Sequence, residues 1–296
     1  MKHFTLLSFA ICMVALGSAV AQEGRAPQKE TVIVGKFTAT GTINQSNTQE
    51  IRRSVITGFV NKNRFNVIDE ETDADLIKRR ADVVIEDDVD ATNVLSKSVT
   101  EMYSSRGAKY LVRGTASAYT SKTEQATDII TKKPYTRYIT GMTFTLTGYS
   151  ILTSQAIASQ SITVSGSGDS RDKADLAAIK DVVSQMNTFV NDNFKFTTYI
   201  LQLESVKKGK LKELYIHCGT DMGVIKGDTF IVVQESSIAG IKKTEKIGRL
   251  RAIEVNGAEL TKCTVTQGNT EIEKAFHDNP ESLIVISDRD SILPVF

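Results

Sequence analysis

Thr31-Val-Ile-Val-Gly-Lys-Phe-Thr38 is rich in β-branched residues, which are stiff at χ1 and fit a pleated strand better than a helix, so a strand opens the fold. The Gly-, Thr-, Asn- and Ser-rich residues 39–47 read as a loop, after which Thr48 can cap a helix. That helix carries Ile51, Val55, Ile56, Phe59 and Val60 on one apolar face, and Arg64-Phe-Asn-Val-Ile-Asp69 returns to a strand. Beyond it, residues 73–91 are charged and read as partly helical, with Leu76, Ile77, Val83, Val84 and Ile85 turned inward. A second helix is expected over Thr92–Arg106 with Gly107 as its stop, then a strand at Lys109-Tyr-Leu-Val-Arg113. The polar residues 120–136 read as a connection, and Thr140–Tyr149 with Ala156–Val164 as a β-hairpin. Gly166-Ser-Gly168 reads as a flexible lead into the clearest helix of the chain, Arg171–Phe194. Its Ile179, Val182, Val183, Met186, Phe189, Val190 and Phe194 recur at three and four, the stripe of a helix lying on a sheet.

From Thr197 the helical signal stops. Short strand-like runs follow at Tyr199–Leu203, Glu213–His217, Asp228–Val233, Gly248–Val255, Ala258–Val265 and Ser282–Ile286, punctuated by glycines such as Gly219, Gly227, Gly257 and Gly268. The expected class is therefore α+β: a sheet with packed helices over residues 31–196, then a small all-β, barrel-like domain over residues 197–296.

The N-terminus has the grammar of a secretory signal at residues 1–21. Lys2 supplies the positive start, Phe4–Leu16 the apolar stretch, and Ala19-Val20-Ala21 the small residues before a cut at Ala21/Gln22. The apolar stretch is too short for a hydrocarbon core of about 30 Å, which takes about 20 residues. No cysteine follows the stretch, so a lipid anchor is not expected, and the expected compartment is the periplasm. Residues 22–30, polar and carrying Pro27, read as a disordered leader. The formal net charge is +1, and Lys2 is the only charged residue removed with the signal, which leaves a neutral chain. Neutrality speaks against a nucleic-acid partner and against a polybasic membrane-surface protein, because both need a cationic face.

Two cysteines lie outside the signal, Cys218 and Cys263. They read either as small buried hydrophobes or as a disulfide, which an oxidising compartment allows. His217 and His277 are the remaining histidines, and both read as structural or surface residues. His217 and Cys218 are neighbours in a strand, so their side chains point to opposite faces and cannot share a metal. Glu86, Asp87, Asp88 and Asp90 lack the central glycine and twelfth-position glutamate of a calcium loop and read as a solvated turn. Ser165-Gly-Ser-Gly-Asp169 lacks the Lys-Ser/Thr of a phosphate loop. No catalytic residue, metal site or cofactor is expected, and the chain reads as a non-enzyme.

Val32-Ile-Val-Gly-Lys-Phe37, the helix after it, and Phe65-Asn-Val-Ile-Asp69 resemble the opening of the curli-production CsgG family. Ala108-Lys-Tyr-Leu-Val-Arg-Gly114 resembles that family's next strand, Thr143–Ser161 its hairpin and Asp175–Asn193 its closing helix, so the resemblance spans residues 31–194. Related α/β units occur in LpoB-like activators of penicillin-binding proteins and in the TolB N-terminal domain. The family hairpin reads Asp-x-x-Thr-Gly-Glu, where this chain has Ser150-Ile-Leu-Thr-Ser-Gln155. Asp221-Met-Gly-Val-Ile-Lys-Gly-Asp-Thr-Phe-Ile-Val-Val233, Ile247-Gly-Arg-Leu250 and Val265-Thr-Gln-Gly268 are similar to the small β domain of the flagellar assembly protein FlgT.

The resemblance implies a periplasmic accessory or assembly factor that acts by contact with another envelope protein, with room for a homo-oligomer. The alternative it implies is a curli-type secretion channel of the outer membrane. Tyr110, Tyr119 and Tyr138 are the expected contact points, since aromatic residues are enriched at interfaces. Stable membrane insertion is not expected: Lys122, Glu124 and Asp128 fall on one alternating face of the segment that would have to span, and Thr163–Lys173 is too short for two strands and a turn.

Overall fold

The opening run lies inside β1 (Glu30–Ala39), which pairs in parallel with β2 (Phe65–Asp69) on one side and β3 (Ala108–Thr127) on the other. β3 continues antiparallel into β4 (Pro134–Ser150) and β4 into β5 (Ala156–Gly168), giving a mixed sheet of order β2-β1-β3-β4-β5. The computed structural model describes residues 27–82, 94–207 and 209–288. The signal segment, most of the leader, the acidic cluster at residues 86–90 and Thr92 lie outside the described residues, and Glu30 is already part of β1.

Helices α1 (Gln45–Asn61) and α4 (Arg171–Asn193) cover one face of this sheet, burying Ile51, Val55 and Phe59 with Val182, Met186 and Phe189 against Val34, Val112, Phe144 and Ile162. α2 (Ala74–Asp82) and α3 (Lys97–Ser104) cover part of the other face, where Leu76, Val99 and Tyr103 meet Ile33, Leu111 and Tyr149. α1 begins one turn before the expected cap. Asn44 takes the cap position, its Oδ1 accepting from the Asn47 N–H at 2.8 Å, while Thr48 is buried inside the helix and donates to the Asn44 carbonyl.

Gly166 and Gly168 are strand residues of β5, not a flexible lead. A Cβ on Gly166 would sit 2.2 Å from the Ala174 carbonyl oxygen and the Ala178 nitrogen, so α4 lies directly on the strand backbone. The larger difference is the segment read as a connection. Residues 120–127 and 134–138 are the outer halves of β3 and β4, paired residue by residue from Thr120↔Gly141 to Thr127↔Pro134. They form an arm that leaves β1 behind after Ala116 and becomes two-stranded from Glu124 and Arg137 outward, where β5 has also ended.

Between Asn193 and Thr197 the chain passes into a seven-stranded antiparallel sheet, curled as a half-barrel, with order β6-β12-β9-β10-β11-β8-β7. Its strands are β6 (Thr197–Thr198), β7 (Ile200–Lys207), β8 (Lys210–Ile216), β9 (Thr229–Ile238), β10 (Ile241–Val255), β11 (Thr261–Gln267) and β12 (Leu283–Asp288). A helix absent from the sequence reading, α5 (Asn269–Asp278), lays Ile272 and Ala275 on the sheet's buried face beside Leu211, Leu250 and Val265. The α+β class therefore holds, with one helix inside the region expected to be all β.

Gly166→Ala is expected to lower stability by about 1–3 kcal/mol, because the contacted atoms are backbone and cannot swing away. Ser165→Ala, exposed on the neighbouring position, should stay within about 0.5 kcal/mol, both read from urea midpoints.

Candidate interaction surfaces

Arg52 and Glu70, two buried charged groups on either side of the first sheet, are partnered locally. Arg52, 3% exposed, reaches from α1 to the Gly35 carbonyl at 2.9 Å and pairs with Asp69 and Glu71. On the opposite face Glu70, also 3% exposed, accepts from Arg80, the Tyr103 hydroxyl and the Lys36 N–H. Burial, with Glu70 alongside, pushes the Tyr103 phenol far up, so it remains a donor. Each of these groups closes a parallel-strand end to a helix.

The two sheets meet at a polar seam. Arg64, immediately before β2, donates to the Val190 and Phe194 carbonyls at 3.0 and 2.9 Å, while its guanidinium stands 5.4 and 5.5 Å from the Phe65 and Phe196 rings. Burial pulls its pKa down to about 10. Gly223 (φ 68°) lies against the end of α1, where a Cβ would be 1.9 Å from the Lys62 carbonyl oxygen, and Asn63 donates to the Thr220 carbonyl at 2.7 Å. A cleft of about 290 Å³ lies between, lined by Lys62, Arg64, Asn191, Ile225 and Asp228. Burial holds the Asp228 carboxyl above its usual range, partly offset by the Ile225 N–H, Lys62 and Arg64.

Cys218 and Cys263 are both buried in the half-barrel core, and both are free thiols. Cys263 sits opposite Leu214 in β11, and Cys218 follows β8, with its carbonyl accepting from the buried Thr261 hydroxyl. Burial pushes the Cys218 thiol up to about 12 and the Cys263 thiol further, with Asp228 adding to both. His217 turns to the other side, edge-on to Tyr199 at 5.0 Å and 3.6 Å from Glu259, and His277 is exposed in the last turn of α5. Among the described residues no group of three or more His, Cys, Asp or Glu could hold a metal ion.

The expected aromatic contact points are mostly used internally. Tyr110 packs edge-on against Phe194 at 5.0 Å, and the Tyr119 hydroxyl donates to Asp175 at 3.0 Å while accepting from Arg171. Thr140 donates to the same carboxylate at 2.5 Å, so Asp175, near the start of α4, fixes both strands at the root of the arm. Tyr138 lies half-buried further along the arm and Tyr135 is exposed there.

At the arm's apex Ile129 and Ile130 are 84% and 90% exposed, in a turn closed by Asp128, whose Oδ1 accepts from the Ile130 and Thr131 N–H groups. Lys132 and Lys133 follow. The second sheet repeats the device. β9 and β10 extend to a two-residue turn, Ala239-Gly240, with both φ positive, flanked by exposed Ile238 and Ile241 and then Lys242 and Lys243. Periodicity did not reveal either apex as a site, but two adjacent or near-adjacent isoleucines beside paired lysines inside a polar stretch were visible in both.

Among the described residues no helix is long and apolar enough to cross a membrane. No family model matches the chain, and no curated protein matches it. Some solved structures are similar over part of the chain. The lipoprotein GNA1162 from Neisseria meningitidis is similar at 10% identity and a TM-score of 0.34, over 54% of this chain and 99% of that one. The PelC dodecamer from Paraburkholderia phytofirmans is similar at 14% identity and a TM-score of 0.30, over 54% and 92%. The LpoB C-terminal domain from Salmonella enterica is similar at 13% identity and a TM-score of 0.29, over 49% and 88%.

A carboxyl whose folded pKa is raised adds stability only while protonated; that contribution is complete below its unfolded value of about 3.9 and is lost as the pH rises through the folded value. Asp228→Asn keeps an acceptor for the Ile225 N–H and removes the buried charge. It is expected to be more stable than the parent in urea at neutral pH and equal to it near about pH 3. A second expectation concerns the thiols: the folded protein should not react with a thiol reagent at neutral pH over minutes, and the unfolded, unreduced protein should show both.

Proposed function

We propose that this chain is a non-enzymatic accessory factor of a bacterial cell envelope, exported to the periplasm by residues 1–21 without lipidation and acting through contact with another envelope protein. The observation that carries the reading is the pair of hairpin arms, one per sheet, each holding exposed isoleucines and lysines away from its core. An apolar apex ringed by lysines is costly to leave in water and suits a pocket on a partner. In this proposal residues 31–196 form a CsgG-like unit and residues 197–296 a FlgT-like unit, joined at the Arg64 seam.

The arm also gives the alternative its one specific support, since a curli-type channel is built from hairpins that leave the body of each subunit. The side chains weigh against it. One face of the outer half of β3 carries Lys122 and Glu124, the other Ser121, Thr123 and Gln125, so neither presents the alternating apolar row that lipid requires.

Ile129→Ser with Ile130→Ser should reduce recovery of a crosslinked envelope partner several-fold while leaving the urea midpoint unchanged. His217→Ala with His277→Ala should leave in vivo function intact. On fractionation the mature protein should leave cells with the soluble periplasm. Release only by detergent, with ring-shaped particles by microscopy, would replace this reading by the channel.

A further inference from the structure

The outer half of β3 has an open edge. β1 accompanies β3 as far as Ala116, the Thr42 side chain reaches Tyr119, and among the described residues no strand lies beside Thr120–Thr127 on that side. The direction of its backbone groups is fixed from both ends. The Tyr119 N–H and C=O both bond to the Thr42 hydroxyl, away from β4, whereas the Asp128 N–H donates inward to the Lys133 carbonyl. The pairing with β4 is regular from Ala118 to Thr127, so odd-numbered residues point their N–H and C=O outward along the arm. Pro134, which has no N–H to give, sits opposite Thr127 at one of the positions where none is required between the two strands.

We propose that this edge pairs with the same edge of a second copy, antiparallel, with the two-fold axis at Thr123. In that register every outward-pointing residue meets an outward-pointing one: Thr123 faces Thr123 of the second copy, and Ser121 faces Gln125. Each such pair exchanges two backbone hydrogen bonds. The residues between them form the closer pairs of the ladder, and these place Lys122 opposite Glu124 of the second copy, and Glu124 opposite its Lys122. Lys122 and Glu124 already share one face of the arm, 3.0 Å apart, so the two copies build an alternating quartet of charges. A shift of the register by two residues in either direction breaks both cross-pairs, and by one residue opposes bonding groups to non-bonding ones.

The edge has a reason to be filled. A two-stranded ribbon without a covered face is marginal in water; β5 backs β4 only as far as Tyr138, opposite Thr123, so from Glu124 outward the arm has two strands, and Thr120–Gln125 is exposed on both faces. A second copy continues the sheet across Ser121–Gln125 and points each Ile129-Ile130 apex toward the second copy's Gly41-Thr42, which lies beside Ser117–Tyr119. The other edge of the arm is a poorer candidate, since β5 occupies β4 from Tyr138 and Pro134 interrupts the remainder. The dimer does not depend on the accessory-factor reading, because its contacts lie within the arm alone.

Sedimentation velocity on the mature full chain, across a concentration series, tests the pairing. Lys122→Glu sets Glu against Glu at both cross-pairs and Glu124→Lys sets Lys against Lys, so each should weaken the dimer by about tenfold or more. Mixing the two variants should restore it, since their arms are then complementary. The three samples should share one unfolding midpoint, all the substituted side chains being exposed. Thr123→Cys lies on the axis and should give a disulfide-linked dimer under mild oxidation, whereas Ser121→Cys should not. A monomer at all concentrations, a mixture no stronger than either variant alone, or equal crosslinking at the two cysteines would overturn the proposal.

Discussion

Arg64 is the group on which the arrangement of the two sheets depends. It immediately precedes β2, yet its guanidinium closes the far end of α4 by donating to the Phe194 carbonyl and to the Val190 carbonyl, where it joins the Phe194 N–H. Phe194 in turn meets Phe59, Phe65, Tyr110 and Phe189 edge-on, so the same turn gathers α1, β2, β3 and α4. Across the seam Phe196 belongs to the second core and flanks the same guanidinium. A buried cation that retains its donors' partners is stabilising only while all of them stay in place, which ties the helix end, the first sheet and the start of the half-barrel into one cooperative joint.

The elements legible in the sequence were those whose apolar spacing has a single interpretation. α1 and α4 bury one face of a helical repeat, and β1 is a β-branched run buried on both faces, a pattern that allows no other element. α5 was missed because its pattern is brief: Ile272 and Ala275 are the only buried residues in ten, set between strands whose β-branched runs are stronger signals. The cap of α1 was displaced because Thr48 and Asn44 are both good caps, and only burial distinguishes them.

The arm was illegible for a different reason. Strand patterns are recognised by one buried face, and from Thr120 to Thr127 neither face is buried, so Thr, Ser, Lys, Glu and Gln read as a polar loop. What makes those residues a strand is the register taken up after the bulge between Ala116 and Ala118, set by Ala118 against Thr143 and by the Asp175 clasp on Tyr119 and Thr140, which runs unbroken to Thr127 against Pro134. The tyrosines were misjudged because aromatic identity does not say which way a ring turns. Tyr110 and Tyr119 face α4, and the exposed apolar surface fell to isoleucines instead. For Cys218 and Cys263, the sequence shows strand sequence around both but not whether the two thiols meet.

α4 is held at both ends by side chains from other elements. Asp175 near its start grips Tyr119 and Thr140 at the root of the arm, and Arg64 grips its last turn at the seam. Its 23 residues make a rod of about 34 Å. Bolted at both ends and laid on a strand with no side chains to cushion it at Gly166, the rod is a strut. The root of the arm and the joint with the half-barrel are thus the two ends of one helix, fixed by side chains that belong to neither unit's core repeat.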